Sequence, residues 1–197
     1  MAKAIVAACA AAVALPLLII LLVSATSVPQ APDAVASGQA AGFLDGAPTE
    51  TATADIPAAY LAWYIDAART CPGLPWSVLA GIGTVESDNG QSDLAGVHSG
   101  ANFAGAEGPM QFEPATFTQY ATGPDQPLSV YDPADAIYTA AAMLCADGAR
   151  GGSTSGIEQA IFAYNHADWY VSEVLSWAAR YAAPDGSNTS SNNPHHP

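Results

Sequence analysis

The sequence predicts a mainly α-helical single domain behind an N-terminal apolar segment. Three observations predict it. Apolar residues recur at spacings of three and four along most of the middle of the chain. Capping residues and prolines stand where those stretches begin and end. No alternating apolar–polar run is long enough for a strand. A chain of 197 residues fits one domain with appendages and can bury a core of ordinary size.

The first element is a targeting segment. Lys3 and the amino terminus supply a small positive region, and Ile5 to Val23 is apolar throughout. That run is long enough to span a bilayer, and Val23-Ser24-Ala25 also fits a signal-peptidase site. Residues 1–25 are therefore either a signal anchor or a cleaved signal peptide, and both place the rest of the chain outside the cytoplasm. Residues 26–54, rich in Ala, Pro, Ser, Thr and Gly, are expected to be a disordered linker. Residues 184–197 are expected to be a disordered tail. His195 and His196 lie there without a metal-ligand pattern.

Residues 55–183 carry the helical signals. Asp55-Ile56-Pro57 reads as an N-cap with proline just inside, opening a helix with Tyr60, Leu61, Tyr64, Ile65 and Ala68 on its stripe. Pro72 to Pro75 break it. Pro75 opens the next helix, where Trp76, Leu79, Ile82, Gly83 and Glu86 fall near one face, and Asp88-Asn89-Gly90 ends it. Gln91 to Glu107 is a polar, glycine-rich loop. Pro114 to about Ala121 is a short helix. Asp132-Pro133 opens a longer one, with Ile137, Ala140, Ala141 and Leu144 inward and Gly148 as a stop. Gly151 to Gly156 leads into a helix over Ile157–Tyr164. Asp168–Ala183 is the last amphipathic stretch, with Trp169, Val171, Val174, Leu175 and Ala178.

Charge and cysteine usage bound the chemistry. The formal net charge is -14 with only four Lys plus Arg, which excludes nucleic acid as a partner because phosphate binding needs a basic surface. The charge is no obstacle to an uncharged glycan. Cys71 and Cys145 lie in the exported part, where disulfides persist, and two cysteines there suggest one bridge. Two separately buried thiols are the alternative.

Three strings carry candidate chemistry: Val85-Glu86-Ser87, the run Gly105 to Phe112 (Gly-Ala-Glu-Gly-Pro-Met-Gln-Phe), and Ala163-Tyr164-Asn165. Glu86 sits near a helix C-terminus, where the dipole opposes a carboxylate, and it follows apolar Ile82 and Val85. Both conditions raise a carboxyl pKa and suit a general acid. The plain alternative is a solvated Glu at a helix end. The glycines of the second string suit a tight turn near a ligand. Gln111 can donate and accept to an acetamido or hydroxyl group, and Met110 and Phe112 can pack on a sugar face; the alternative is a surface turn. Tyr164 can hydrogen-bond the acid or a sugar oxygen, or be a core tyrosine beside an Asn165 cap. His166 and Asp168 invite comparison with a catalytic triad, but Ser87 has no nucleophile elbow around it. No His pair outside the tail has zinc-ligand spacing.

Together and in this order the strings resemble the catalytic domain of bacterial lytic transglycosylases, which cut peptidoglycan. The resemblance covers about Asp55 to Ala183 and implies a lysozyme-like fold. Pro109 stands where leucine is usual and Phe112 where an aliphatic is common. The Pro-Met-Gln-Phe form, the run Glu86 to Gly90 and Asp135-Ala136-Ile137 look closer to the membrane-bound B type and to actinobacterial members. A family serine in the loop before the glycine turn has no sure counterpart here; Ser99 is the candidate position. By the resemblance, Glu86 is the single acid/base, and Ser87, Gly108, Met110, Gln111, Tyr164 and Asn165 bind substrate. No metal or other cofactor is implied. The partners expected are peptidoglycan glycan strands and, through residues 5–23, the cytoplasmic membrane.

The implied reaction uses one carboxyl group twice. Protonated Glu86 donates to the glycosidic oxygen between N-acetylmuramic acid and N-acetylglucosamine. It then takes the proton of the C6 hydroxyl, which closes on C1 to a 1,6-anhydro sugar. Two rivals remain open. One is a hydrolytic muramidase with a second carboxylate from Asp88, Asp93, Glu107 or Glu113. The other is a non-catalytic wall-binding or secretion-apparatus subunit.

Overall fold

The computed structural model describes residues 44–182. The expected signal or anchor segment (1–25) and the tail (184–197) lie outside the described residues. Seven α-helices occur among them: α1 (Glu50–Asp55), α2 (Ala58–Ala68), α3 (Trp76–Ser87), α4 (Pro114–Tyr120), α5 (Pro133–Leu144), α6 (Thr154–Tyr164) and α7 (Asp168–Tyr181). Among these residues there is no strand, only isolated bridges Pro48–Ala182 and Glu107–Phe112. No helix there is long and apolar enough to cross a membrane.

The folded part begins upstream of the boundary expected at residue 55. Thr49 caps α1 by accepting from the Ala52 amide at 3.1 Å. Its own amide donates to the Tyr181 carbonyl at 2.9 Å and its hydroxyl to the Arg180 carbonyl at 2.8 Å. Gly46 accepts from the Trp76 indole at 2.9 Å. Residues 44–55 are thus fastened to α3 and α7, where the composition suggested a linker. Asp55 closes α1, and Pro57 is the N-cap of α2. The expected Asp55 cap does not form because the chain is already helical there.

Helix α3 is the centre of the domain. Every residue from Trp76 to Gly83 is buried, so this helix has no solvent face over two turns, and the single stripe read from the sequence understates it. Its small residues let neighbours approach. A Cβ on Gly81 would lie 2.5 Å from the Val174 carbonyl oxygen of α7. The helix ends where Asp88 and Asn89 take left-handed conformations at φ 53° and 54°, as the Asp-Asn-Gly run predicts. Asn89 is buried, yet its carboxamide accepts from the Tyr64 hydroxyl at 3.0 Å and donates to the Thr84 hydroxyl at 3.1 Å. Those bonds hold the chain in place just beyond Glu86.

Helices α5, α6 and α7 complete the core. Asp132 caps α5 with Pro133 behind it, and Ile137, Ala140, Ala141 and Leu144 are buried as the spacing predicts. The helix passes into a wide turn over Cys145–Ala149, where Gly148 has φ 129°. Cys71 and Cys145 form a disulfide that ties the end of α2 to the end of α5. Ser153 caps α6 by accepting from the Gly156 amide at 3.1 Å. The buried face of α7 is Tyr170, Val174, Ala178 and Tyr181. It is rotated from the expected stripe, and Trp169 is 65% exposed.

Candidate active site

Glu86 is the penultimate residue of α3 and opens into a cleft of about 520 Å³. The cleft is walled by Asn102, Ala104 and Ala106 from the long loop, by Gln111 to Glu113 and Thr116, and by Ala163 to His166, with Met143 below. Loss of solvent pushes the Glu86 carboxyl up to about 7, against a hydrogen bond from Tyr170 that lowers it. Desolvation by burial is the larger of the two effects. Glu86 is therefore partly protonated at neutral pH, as a general acid requires.

The Tyr170 hydroxyl donates to Glu86 Oε1 at 2.5 Å. Sequence reading missed this residue and offered Tyr164 as the phenol that could bond the acid or a sugar oxygen. Tyr164 donates to the Met110 carbonyl at 2.8 Å. It stacks nearly parallel to Tyr170 at 6.5 Å and packs on Phe112 at 5.6 Å. The carboxylate of Glu86 raises the pKa of both phenols further, after burial has done most of it. Tyr170 could have been found from the spacing of Tyr170, Val174, Ala178 and Tyr181. The expected stripe already held Val174 and Ala178 but named Trp169 and Val171 in place of Tyr170.

Three residues expected to touch substrate are buried beneath the cleft instead. Ser87 is 2% exposed; its hydroxyl donates to the Pro109 carbonyl at 2.6 Å and accepts from the Gly90 amide at 2.9 Å. It pins the glycine turn to the helix end, and a buried hydroxyl so engaged is no nucleophile. Met110 is 0% exposed and belongs to the core; it offers no face to a sugar. Gly108 is buried with φ 75°, and a Cβ there would lie 1.9 Å from the Val130 carbonyl oxygen. The glycine is demanded by a backbone approach within the protein. Phe112 is nearly buried but borders the cleft.

Gln111 and Asn165 do line the cleft. Gln111 takes the left-handed conformation at φ 48°. Its Nε2 donates to the Gly108 carbonyl at 2.7 Å and its Oε1 accepts from Asn102 at 2.9 Å. One amide hydrogen stays available to a ligand. The Asn165 side chain has no hydrogen-bond partner among the described residues, while its backbone closes α6. Of the four acids considered as a second carboxylate, only Glu113 borders the cleft; Asp88, Asp93 and Glu107 do not. Asp125, Asp132 and Asp135 gather away from the cleft, with Asp135 buried. There Asp135 is occupied by the Ser129 amide at 2.9 Å and by the backbone around it.

The sequence matches the family described as the transglycosylase SLT domain over residues 63–183. Two solved structures share the fold. A 36 kDa muramidase/transglycosylase aligns with a TM-score of 0.51 at 17% identity, covering 70% of this chain and 79% of that one. The Escherichia coli lytic transglycosylase Slt35 in complex with bulgecin A aligns with a TM-score of 0.50 at 17% identity, covering 70% and 78%. At that identity the likeness is one of fold. No curated protein matches the sequence.

Proposed function

The chain belongs to the transglycosylase SLT domain family and is a peptidoglycan lytic transglycosylase; on that premise we propose that Glu86 is its single catalytic acid and base and that its product is a 1,6-anhydro sugar. The observation that carries the reading is the environment of Glu86. It is a desolvated carboxyl raised to about 7, bonded to Tyr170 and facing the cleft. Protonated Glu86 gives its proton to the glycosidic oxygen. The bond between that oxygen and C1 of N-acetylmuramic acid breaks, and the acetamido group of the substrate steadies the cation. Glu86, now a carboxylate, removes the proton of the C6 hydroxyl, and the C6 oxygen bonds to C1. The acid is thereby restored and no water is consumed. Tyr170 holds the carboxyl in place and lowers the cost of its charged state. Gln111 and Asn165 supply amide contacts to the sugar.

The proposed setting is the outer side of the cytoplasmic membrane, with residues 5–23 as anchor or signal. It is supported by the apolar run, by the cysteine pair, and by the location of peptidoglycan.

Glu113 favours one alternative specifically. It is the other acid among the described residues bordering the cleft, and a second carboxylate able to activate water would make the enzyme hydrolytic. Glu113 is exposed at the start of α4, where solvent competes for it, and the one-carboxylate reading is preferred. Mass spectrometry of digested sacculi separates the two. Anhydro-muropeptides are expected, about 18 Da (one water) lighter than hydrolysed forms. Reducing-end sugars as primary products would replace the proposal with the muramidase reading.

A further inference from the structure

Phe103 has no role in the fold. Its side chain is 104% exposed, so the ring packs on nothing among the described residues. Single exposed apolar residues are common and usually carry no meaning. Two features set this one apart.

The first is where it stands. Its neighbours on both sides, Asn102 and Ala104, line the cleft that contains Glu86. Phe103 does not itself line the cleft; the turn that carries it stands at the rim.

The second is how firmly its turn is held. Asn102 Oδ1 accepts from the Ala104 amide at 2.7 Å and the Ala106 amide at 3.0 Å. The Asn102 amide donates to the Ala106 carbonyl at 2.9 Å, and the Gly105 amide to the Asn102 carbonyl at 3.0 Å. Asn102 Nδ2 ties the turn to Gln111 on the cleft wall at 2.9 Å. From behind, the backbone of Gly96 lies so close that a Cβ there would sit 2.6 Å from the Ala106 carbonyl oxygen and 2.7 Å from the Asn102 nitrogen. A side chain on such a turn is presented in one place, and little ordering is left to do when a ligand covers it. Trp169 offers a contrast: it is exposed too, but it packs edge-on against Tyr170 at 5.8 Å and so supports the tyrosine that holds Glu86.

We propose that Phe103 is a substrate-binding residue whose ring stacks on a sugar of the glycan strand next to the bond that is cut. A pyranose ring turns a flat face of C–H groups outward, and that face gains by leaving water against an aromatic ring. A ring on the rim meets a polymer that runs past the acid, and it is wasted on a ligand that fits wholly inside. The proposal rests on the glycan-cleaving reading of the cleft and deepens it by naming where the strand is gripped.

Steady-state clearing of purified sacculi by the full chain tests it, with Phe103→Ala, Phe103→Leu and Phe103→Tyr compared. One face of the ring amounts to about half the burial of a phenylalanine side chain, so Phe103→Ala is expected to raise KM roughly four- to twelvefold with kcat unchanged. Phe103→Tyr keeps the ring and is expected to restore KM; Phe103→Leu is not. The midpoint of thermal unfolding stays the same in all three, because the side chain touches nothing. Equal KM for Phe103→Ala and wild type overturns the proposal, and so does a Phe103→Leu chain that matches wild type. These kinetics are read whichever residue is the acid. Failure of the Glu86 assignment would show separately, as turnover by Glu86→Gln.

Discussion

The two walls of the cleft are built by different physics. The wall that carries Glu86 is helix packed on helix. There α3 is buried through two turns, Gly81 lets α7 come close, and Tyr170 reaches across from α7 to the acid. The other wall, residues 96 to 112, buries Val97, Met110 and Phe112 but forms no helix. It is held by backbone hydrogen bonds, by side chains such as Ser87 and Asn102 that bond to backbone, and by residues at positive φ, among them Gly96, Gly105, Gly108 and Gln111. The difference teaches where each property of the site resides. Packing excludes water and so sets the proton affinity of the acid. The hydrogen-bonded loop sets the shape that meets the sugar.

Breaking the helical wall at its acid should have the largest effect. Glu86→Gln keeps the shape and removes the proton. Turnover of sacculi is expected to fall by roughly 10²–10⁴-fold, the usual consequence of losing a general acid, while folding and sacculus binding persist. Near-wild-type turnover would show that the acid lies elsewhere.

The same residue makes stability depend on pH. Its carboxyl is raised from 4.5 to about 7 by folding, so the native state holds the proton more tightly than the unfolded chain. Its contribution is full below pH 4.5 and is lost as pH rises towards 7. That amounts to about 3 kcal/mol. Glu86→Gln does not titrate, so its stability relative to wild type should rise by this order between pH 4.5 and 7.5. Denaturant melts at a series of pH values measure it, and parallel curves for the two proteins would show that the carboxyl is not desolvated.

A matched pair of glycine substitutions sharpens the contrast between the walls. Gly81→Ala drives a methyl into the backbone of α7, and Gly108→Ala into the carbonyl of Val130 from a left-handed position. Each is expected to cost roughly 1–3 kcal/mol of stability. Gly81→Ala also moves the helix that supplies Tyr170 and should change the pH profile of kcat. Gly108→Ala moves the turn that carries Gln111 and should mainly raise KM. If both variants altered the same kinetic constant, the division of labour would fail.

The smallest expected effect is that of Tyr170→Phe. It removes the hydrogen bond that favours the charged carboxyl, so the Glu86 pKa should rise and the alkaline fall of activity should move to higher pH. A loss of about tenfold in kcat is expected, the value of one charge-assisted hydrogen bond. Tyr164→Phe, whose hydroxyl bonds to a carbonyl of the loop wall, should leave that pH profile unmoved. A profile shifted by Tyr164→Phe and not by Tyr170→Phe would reverse the roles of the two phenols.

The helical wall was largely legible in the sequence. The boundaries of α3 and the start of α5 follow caps, prolines and glycines whose effects are local, whereas α6 starts at Thr154, inside the stretch read as a loop. Glu86 stood out because a short string named it. The loop wall was legible only as a glycine-rich string, and the roles given to Ser87, Gly108 and Met110 came out differently. Each has a chemistry that fits sugar binding and fits internal support equally well. Which of the two applies depends on the partner atom, Pro109 for Ser87 and Val130 for Gly108, and no local pattern specifies a partner some twenty residues away.

By itself the sequence determined the helical class, the resemblance of the three strings and the cysteine pair, and it nominated Glu86 as the candidate acid. These follow from local backbone preferences and from residue types whose chemistry is scarce. Only the tertiary structure decided that residues 44–55 join the fold, that Tyr170 and not Tyr164 holds the acid, and that Glu86 titrates near neutrality. The reason is physical in each case. A short amphipathic helix such as α1 is fixed by what it packs against, the packing of α7 decides that Tyr170 and not Trp169 turns inward, and desolvation depends on everything that surrounds the carboxyl.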